Sequence, residues 1–110
     1  MQHILDKIQN YIDTHDIVLF MKGTPDAPMC GFSQTVVGIL KILEVEFKSV
    51  NVLADEELRQ GIKTFSDWPT IPQLYIKGEF IGGCDIVKEM YITRELHKML
   101  KEKQIQHSKK

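Results

Sequence analysis

The chain has 110 residues, 43% of them apolar and 26% charged, the balance of a single globular domain rather than of a disordered segment. Fourteen basic against fifteen acidic residues leave a net charge of −1, which excludes the basic excess that a nucleic-acid backbone calls for. The longest apolar run, Ile17 to Met21, is too short to span a membrane, the N-terminus lacks the build of a secretory signal, and two cysteines are too few for a disulfide scaffold, so a reducing cytoplasm is expected.

Ile4, Leu5, Ile8, Tyr11 and Ile12 recur at helical spacing, which predicts an amphipathic helix over residues 2–14. Ile17 to Met21 reads as a strand buried on both faces. One glycine and two prolines make Gly23 to Pro28 a loop. Phe32, Val36, Leu40 and Leu43 then mark a second helix, Glu46 to Asn51 a second strand, and Leu58, Ile62 and Phe65 a third helix. The prolines of Asp67-Trp68-Pro69-Thr70-Ile71-Pro72 exclude a helix interior. Gln73 to Ile76 and Glu79 to Ile81 form a hairpin turned at Lys77-Gly78. A last helical region follows Gly82-Gly83-Cys84-Asp85, with apolar positions at Ile86, Val87, Met90, Leu96, Met99 and Leu100. The first two strands and the helix between them make a parallel βαβ unit with a right-handed crossover, to which the hairpin adds antiparallel strands. The expected fold is α/β: a four-stranded mixed sheet flanked by helices, of the thioredoxin-like class.

Cys30 follows a strand and loop and directly precedes a helix, where partial positive charge and unpaired N–H groups favour thiolate. Lys22 adds positive charge nearby. A buried structural cysteine is the bland alternative. Cys30-Gly31-Phe32-Ser33 has the layout of a two-cysteine redox motif with serine in place of the second cysteine. Ser33 cannot resolve a mixed disulfide, so exchange chemistry stops at Cys30 or borrows an outside thiol. Pro72 is a candidate cis proline, with a rigid trans turn as the alternative; a cis bond would offer the backbone of Ile71 to an extended peptide. Gly82 and Gly83 permit close backbone approach, and Asp85 is a good N-cap. The N–H groups of Cys84 and Asp85 there form either that cap or a carboxylate-binding nest. Arg59 taken alone reads as a solvated arginine. Together these residues fit a small anionic thiol peptide lying between Cys30, Ile71 and Gly83, its carboxylates met by Lys22 and Arg59.

Three ordered segments carry a resemblance: Met21-Lys22-Gly23-Thr24-Pro25 leading to Pro28-Met29-Cys30-Gly31-Phe32-Ser33-Gln34, then Trp68-Pro69-Thr70-Ile71-Pro72-Gln73-Leu74-Tyr75, then Gly78-Glu79-Phe80-Ile81-Gly82-Gly83-Cys84-Asp85. The sequence resembles the single-domain monothiol glutaredoxins over nearly its whole length. The resemblance implies a thioredoxin fold that binds glutathione, with Lys22 and Arg59 on the glycine carboxylate, Ile71 on the cysteinyl backbone ahead of a cis Pro72, and Cys84 and Asp85 at the γ-glutamyl end. It further implies a [2Fe-2S] cluster carrier, with Cys30 as metal ligand and catalytic thiol, and BolA-type proteins and apo iron–sulfur proteins as partners. Such a cluster usually takes four thiolates. With Cys84 assigned to glutathione, two Cys30 thiolates and two glutathione thiolates complete the set, so a homodimer is expected with cluster and a monomer without. Cys30 and Cys84 from each of two chains are the rival ligand set. The alternative function is a weak glutathione-dependent oxidoreductase that deglutathionylates proteins through Cys30 alone.

His3, His15, His97 and His107 lack the paired spacing of zinc ligands and read as surface or packing residues. Trp68 reads as packing beside the site. Within a single domain spanning 1–110, residues 104–110 are expected to be a flexible tail.

Overall fold

In the computed structural model, which describes residues 1–110, helix α1 (Gln2–Thr14) turns Ile4, Ile8 and Ile12 inward. Strand β1 (Ile17–Met21) follows and is buried along its whole length. The chain then forms a small ribbon, β2 (Gly23–Thr24) against β3 (Ala27–Pro28), in place of the expected loop. Pro25 and Asp26 make its turn. The Thr24 hydroxyl accepts the Ala27 N–H at 3.2 Å, and Lys41 Nζ donates to Pro25 O at 3.2 Å. Gly23 sits at φ +91°, where a Cβ would lie 2.6 Å from Ala27 O, so only glycine fits the first position of this ribbon.

Helix α2 (Gly31–Ile42) buries Ser33, Val36, Val37, Ile39 and Leu40. Phe32, expected in that stripe, is 62% exposed instead, because Ser33 occupies the first inward position. Strand β4 (Lys48–Asn51) is shorter than expected, Glu46 and Phe47 lying outside it. A 3-10 turn (Val52–Ala54) leads to helix α3 (Glu56–Ser66), whose N-cap Asp55 accepts the N–H groups of Glu57 and Leu58. Strands β5 (Gln73–Ile76) and β6 (Glu79–Gly82) form the hairpin. The last helical region is two helices, α4 (Cys84–Ile92) and α5 (Glu95–Glu102), broken where Arg94 adopts φ +67°. Val87, Met90, Leu96 and Leu100 are buried as expected, while Ile86 is partly exposed.

The sheet order is β4-β1-β5-β6. Strand β1 runs parallel to β4 and antiparallel to β5, and β5 is antiparallel to β6. This is the mixed sheet of a thioredoxin-like fold. Alternate residues of β1 feed two cores: Ile17, Leu19 and Met21 join α2, α4 and α5, whereas Val18 and Phe20 join α1 and α3. Burial of each such side chain contributes roughly 1.5–3 kcal/mol. His97 is a packing residue, buried and stacked on Tyr91 at 5.4 Å. Residues 104–110 carry no regular element past the turn that ends α5 but lie back on the body: Ser108 N–H donates to Leu43 O, and the Tyr91 hydroxyl donates to Lys110 O at 3.2 Å. No helix is long and apolar enough to cross a membrane.

Helices α1 and α3 meet at Gly61, where a Cβ would overlap Ile4 Cγ2. Gly61→Ala is expected to destabilise by about 1–3 kcal/mol through overpacking. Gly38→Ala, with nothing within 4 Å of the added carbon, is expected to stabilise by about 0.5–1 kcal/mol through helix propensity. Urea unfolding of the two variants checks the opposite signs.

Candidate functional site

A cavity of about 370 Å³ opens where the end of β1, the start of α2, one face of α3, the turn before β5 and the start of α4 meet. Lys22, Arg59, Ile71, Cys84 and Asp85 all line it. The sequence had separated these residues by as many as 63 positions; the fold brings them together. Cys30 is not part of the lining. It is the N-cap of α2, two residues before Phe32, which forms one wall, and it interacts electrostatically with the lining residues Lys22 and Cys84.

Lys22 arrives at the cavity because β1 ends at Met21. Its N–H donates to Ser33 Oγ at 3.1 Å, tying it to the helix that Cys30 caps. Arg59 and Lys63 stand one turn apart on α3, so their side chains share a face. Neither they nor Lys22 has a carboxylate partner: the ion pairs of the molecule are Lys77–Asp16 and Lys103–Glu79, both elsewhere. Arg59 Nε is buried without a hydrogen-bond partner. A buried unmet donor beside two further cations is the signature of a site for an anion.

The Ile71–Pro72 peptide bond is cis, and Ile71 lines the cavity floor beside it. Opposite, Gly82 at φ +144° turns the chain out of β6, and Gly83 packs so close to Pro72 that a Cβ would lie 3.2 Å from its carbonyl oxygen. The turn is complete at Gly83, which becomes the N-cap of α4, so helix starts at Cys84. Asp85 therefore is not the N-cap expected from sequence. It lies in the first turn, exposed, and makes no cap bond. No side chain caps this helix, which leaves its leading N–H groups free to receive an anion.

The two cysteines are driven in opposite directions. The Ser33 N–H holds the Cys30 thiol below its usual pKa; burial opposes this, while the Phe32 N–H, the Lys22 charge and the Ser33 hydroxyl add to it. Burial pushes the Cys84 thiol up, and the neighbouring Asp85 charge pushes it further. Both cysteines are free. Lys63 was missed by the sequence reading, although its place four residues after Arg59 on a helix was a usable signal. Trp68 also lines the cavity, its ring tilted against Phe80 at 5.8 Å.

A glutaredoxin family model matches residues 17–81. A probable monothiol glutaredoxin 2 of Rickettsia typhi is 63% identical over 95 residues, which cover 86% of each chain. Among solved structures, a monomeric truncated mutant of Trypanosoma brucei 1-C-Grx1 superposes with a TM-score of 0.89 at 43% identity, covering 96% of both chains. A buckwheat glutaredoxin–glutathione complex shares the fold, with a TM-score of 0.81 at 24% identity over 92% of this chain and 90% of that one.

Iodoacetamide labelling across pH, read by mass spectrometry, is expected to modify Cys30 before Cys84. The thiolate is the nucleophile, so the Cys30 rate rises through a midpoint below the ordinary cysteine value and the Cys84 rate through one above it. Equal midpoints would contradict the opposed environments.

Proposed function

The chain belongs to the monothiol glutaredoxin family, and on that premise we propose that it binds glutathione in the cavity and, through Cys30, carries a [2Fe-2S] cluster shared between two copies of the chain. The charge make-up of the cavity carries this reading: three unpaired cations, and free helix N–H groups beside Asp85. Glutathione has a carboxylate at each end and an ammonium at one. Lys22 and Arg59 take the glycine carboxylate, with Lys63 adding to the field. The backbone of Ile71 takes the cysteinyl unit. The Cys84 and Asp85 N–H groups take the γ-glutamyl carboxylate, and the Asp85 carboxylate takes the ammonium. The buckwheat protein, a more distant glutaredoxin of the same fold, forms a complex with glutathione.

The cluster is cargo. No group of three or more His, Cys, Asp or Glu side chains converges within the chain. Cys30 offers one thiolate at an open position, and its lowered pKa suits metal ligation. Two such thiolates and two from glutathione complete the usual four. Because half the ligands are exchangeable small molecules, the cluster passes readily to apo iron–sulfur proteins, and a BolA-type protein can take the place of the second copy. The apo chain is then a monomer, and a reducing cytoplasm suits its free thiols.

The lowered Cys30 pKa also favours a second reading, deglutathionylation. The Cys30 thiolate attacks the glutathione sulfur of a protein mixed disulfide, forming a Cys30–glutathione disulfide while the protein thiolate leaves and takes up a proton; a free glutathione thiolate then attacks the bound glutathione sulfur, forming glutathione disulfide and expelling the Cys30 thiolate. The buried hydroxyl of Ser33 cannot take that last step.

Anaerobic reconstitution with iron, sulfide and glutathione, read by visible absorption and gel filtration, is expected to give a coloured dimer that requires glutathione and is lost in Cys30→Ser. A colourless monomer under every condition would overturn the carrier reading and leave thiol exchange. In the same assay Cys84→Ser is expected to keep its colour. A folded Cys84→Ser chain that assembles nothing would instead identify Cys84 as a ligand.

A further inference from the structure

The backbone that delivers Lys22 to the cavity is gripped from two sides. On one side the Lys22 N–H donates to Ser33 Oγ at 3.1 Å, and the Lys22 carbonyl accepts the Met29 N–H at 2.9 Å. On the other, the next N–H along, that of Gly23, donates to Asn51 Oδ1 at 3.0 Å. The same oxygen accepts the Leu53 N–H at 3.0 Å. Asn51 is the last residue of β4 and pairs in register with Met21, the residue before Lys22. Its side chain therefore reaches past the end of the sheet to the first peptide of the Cys30 loop.

A lysine ammonium is a point charge on a stem of four rotatable bonds. Its reach is defined only if the backbone from which it springs is fixed. The segment has little freedom of its own, since a Cβ on Gly23 would lie 2.6 Å from Ala27 O and 2.7 Å from Met29 N. The Gly23–Asn51 bond is thus the link between this close-packed ribbon and the rigid sheet. Both bonds need an oxygen at the Oδ1 position, and neither uses the amide nitrogen.

Resting on the glutathione reading above, we propose that Asn51 is a positioning residue for recognition of the glycine carboxylate: by holding the Gly23 N–H it sets where Lys22 stands in the cavity. Asn51 itself is outside the cavity lining. Its effect is confined to the end of the ligand that Lys22 meets.

The test is calorimetric titration of the full chain with glutathione and with glutathione monoethyl ester, whose glycine carboxylate is blocked. Asn51→Ala is expected to weaken glutathione about tenfold, the scale of one charge-assisted hydrogen bond, and the ester less than about twofold. Asn51→Asp, which keeps the acceptor oxygen, is expected to restore the glutathione affinity. In a Lys22→Ala background, Asn51→Ala is expected to have no further effect on glutathione. If Asn51→Ala does not fold, Asn51→Ser, whose oxygen falls short of Gly23, replaces it with the same expectations. Equal weakening of both ligands would mean a purely structural role and overturn the proposal, as would unchanged glutathione affinity in a folded variant. The unsubstituted chain is titrated first. Should it bind neither ligand, the glutathione reading itself fails and the proposal with it, an outcome distinct from failure at Asn51.

Discussion

Two-sided burial of β1 is the constraint on which the rest of the molecule depends. All five of its side chains are at most 1% exposed. Odd and even positions pack against different helices, so a slip of one residue would exchange the two cores. Phe20 fixes the register further by meeting Tyr11 and Tyr75 edge-on, at 6.4 and 5.7 Å between ring centres. With register fixed, the strand must end at Met21. The next residue leaves the sheet as the first cation of the cavity, and the ribbon that follows brings Cys30 to the head of α2. Site geometry is therefore a consequence of core packing.

Both cysteines stand at helix amino ends, yet they differ chemically. Position at a helix start is not sufficient to ionise a thiol. Cys30 gains because the Ser33 and Phe32 N–H groups and the Lys22 charge favour its thiolate. Cys84 loses because it is more deeply covered and is followed by a carboxylate. The cavity thus has a thiol, Cys84, in its lining and a thiolate-prone sulfur, Cys30, outside it at the head of α2. Ser33 joins these effects: it is fully buried, its N–H and hydroxyl stabilise the Cys30 sulfur, and its oxygen accepts from Lys22.

Much of this was legible in the sequence because the signals were periodic or local. The helical stripe of α1 and the apolar run of β1 each have one physical solution, and the Lys77-Gly78 turn fixes the β5–β6 hairpin. The parallel pairing of β1 with β4 followed from the helix between them. What escaped depends on contacts between distant segments. Gly23 to Pro28 has loop composition, yet Gly23 pairs with Pro28 and Thr24 with Ala27, and Lys41 on α2 bonds the turn between them. Asp85 is a good capping residue by type, but Gly83, packed close against Pro72, takes the N-cap and the helix starts two residues upstream. Phe32 fits an apolar stripe that a serine in fact begins. Arg59 looked solvated in isolation, and only the fold reveals its buried, unmet Nε.

The bond from Lys41 to Pro25 has a consequence for recognition. It ties the tip of the ribbon to the far end of the helix whose near end carries Cys30. Ribbon and helix are thereby joined at the helix's far end, with the Lys22 backbone fastened to its near end through Ser33. On the proposed function, a tripeptide entering the cavity would not have to order a loose loop on that side, so little conformational entropy would be lost there and its affinity would not be spent on arranging its host. The host of the proposed ligand is then a preformed mould, with Lys22, Arg59 and Lys63 already in its lining.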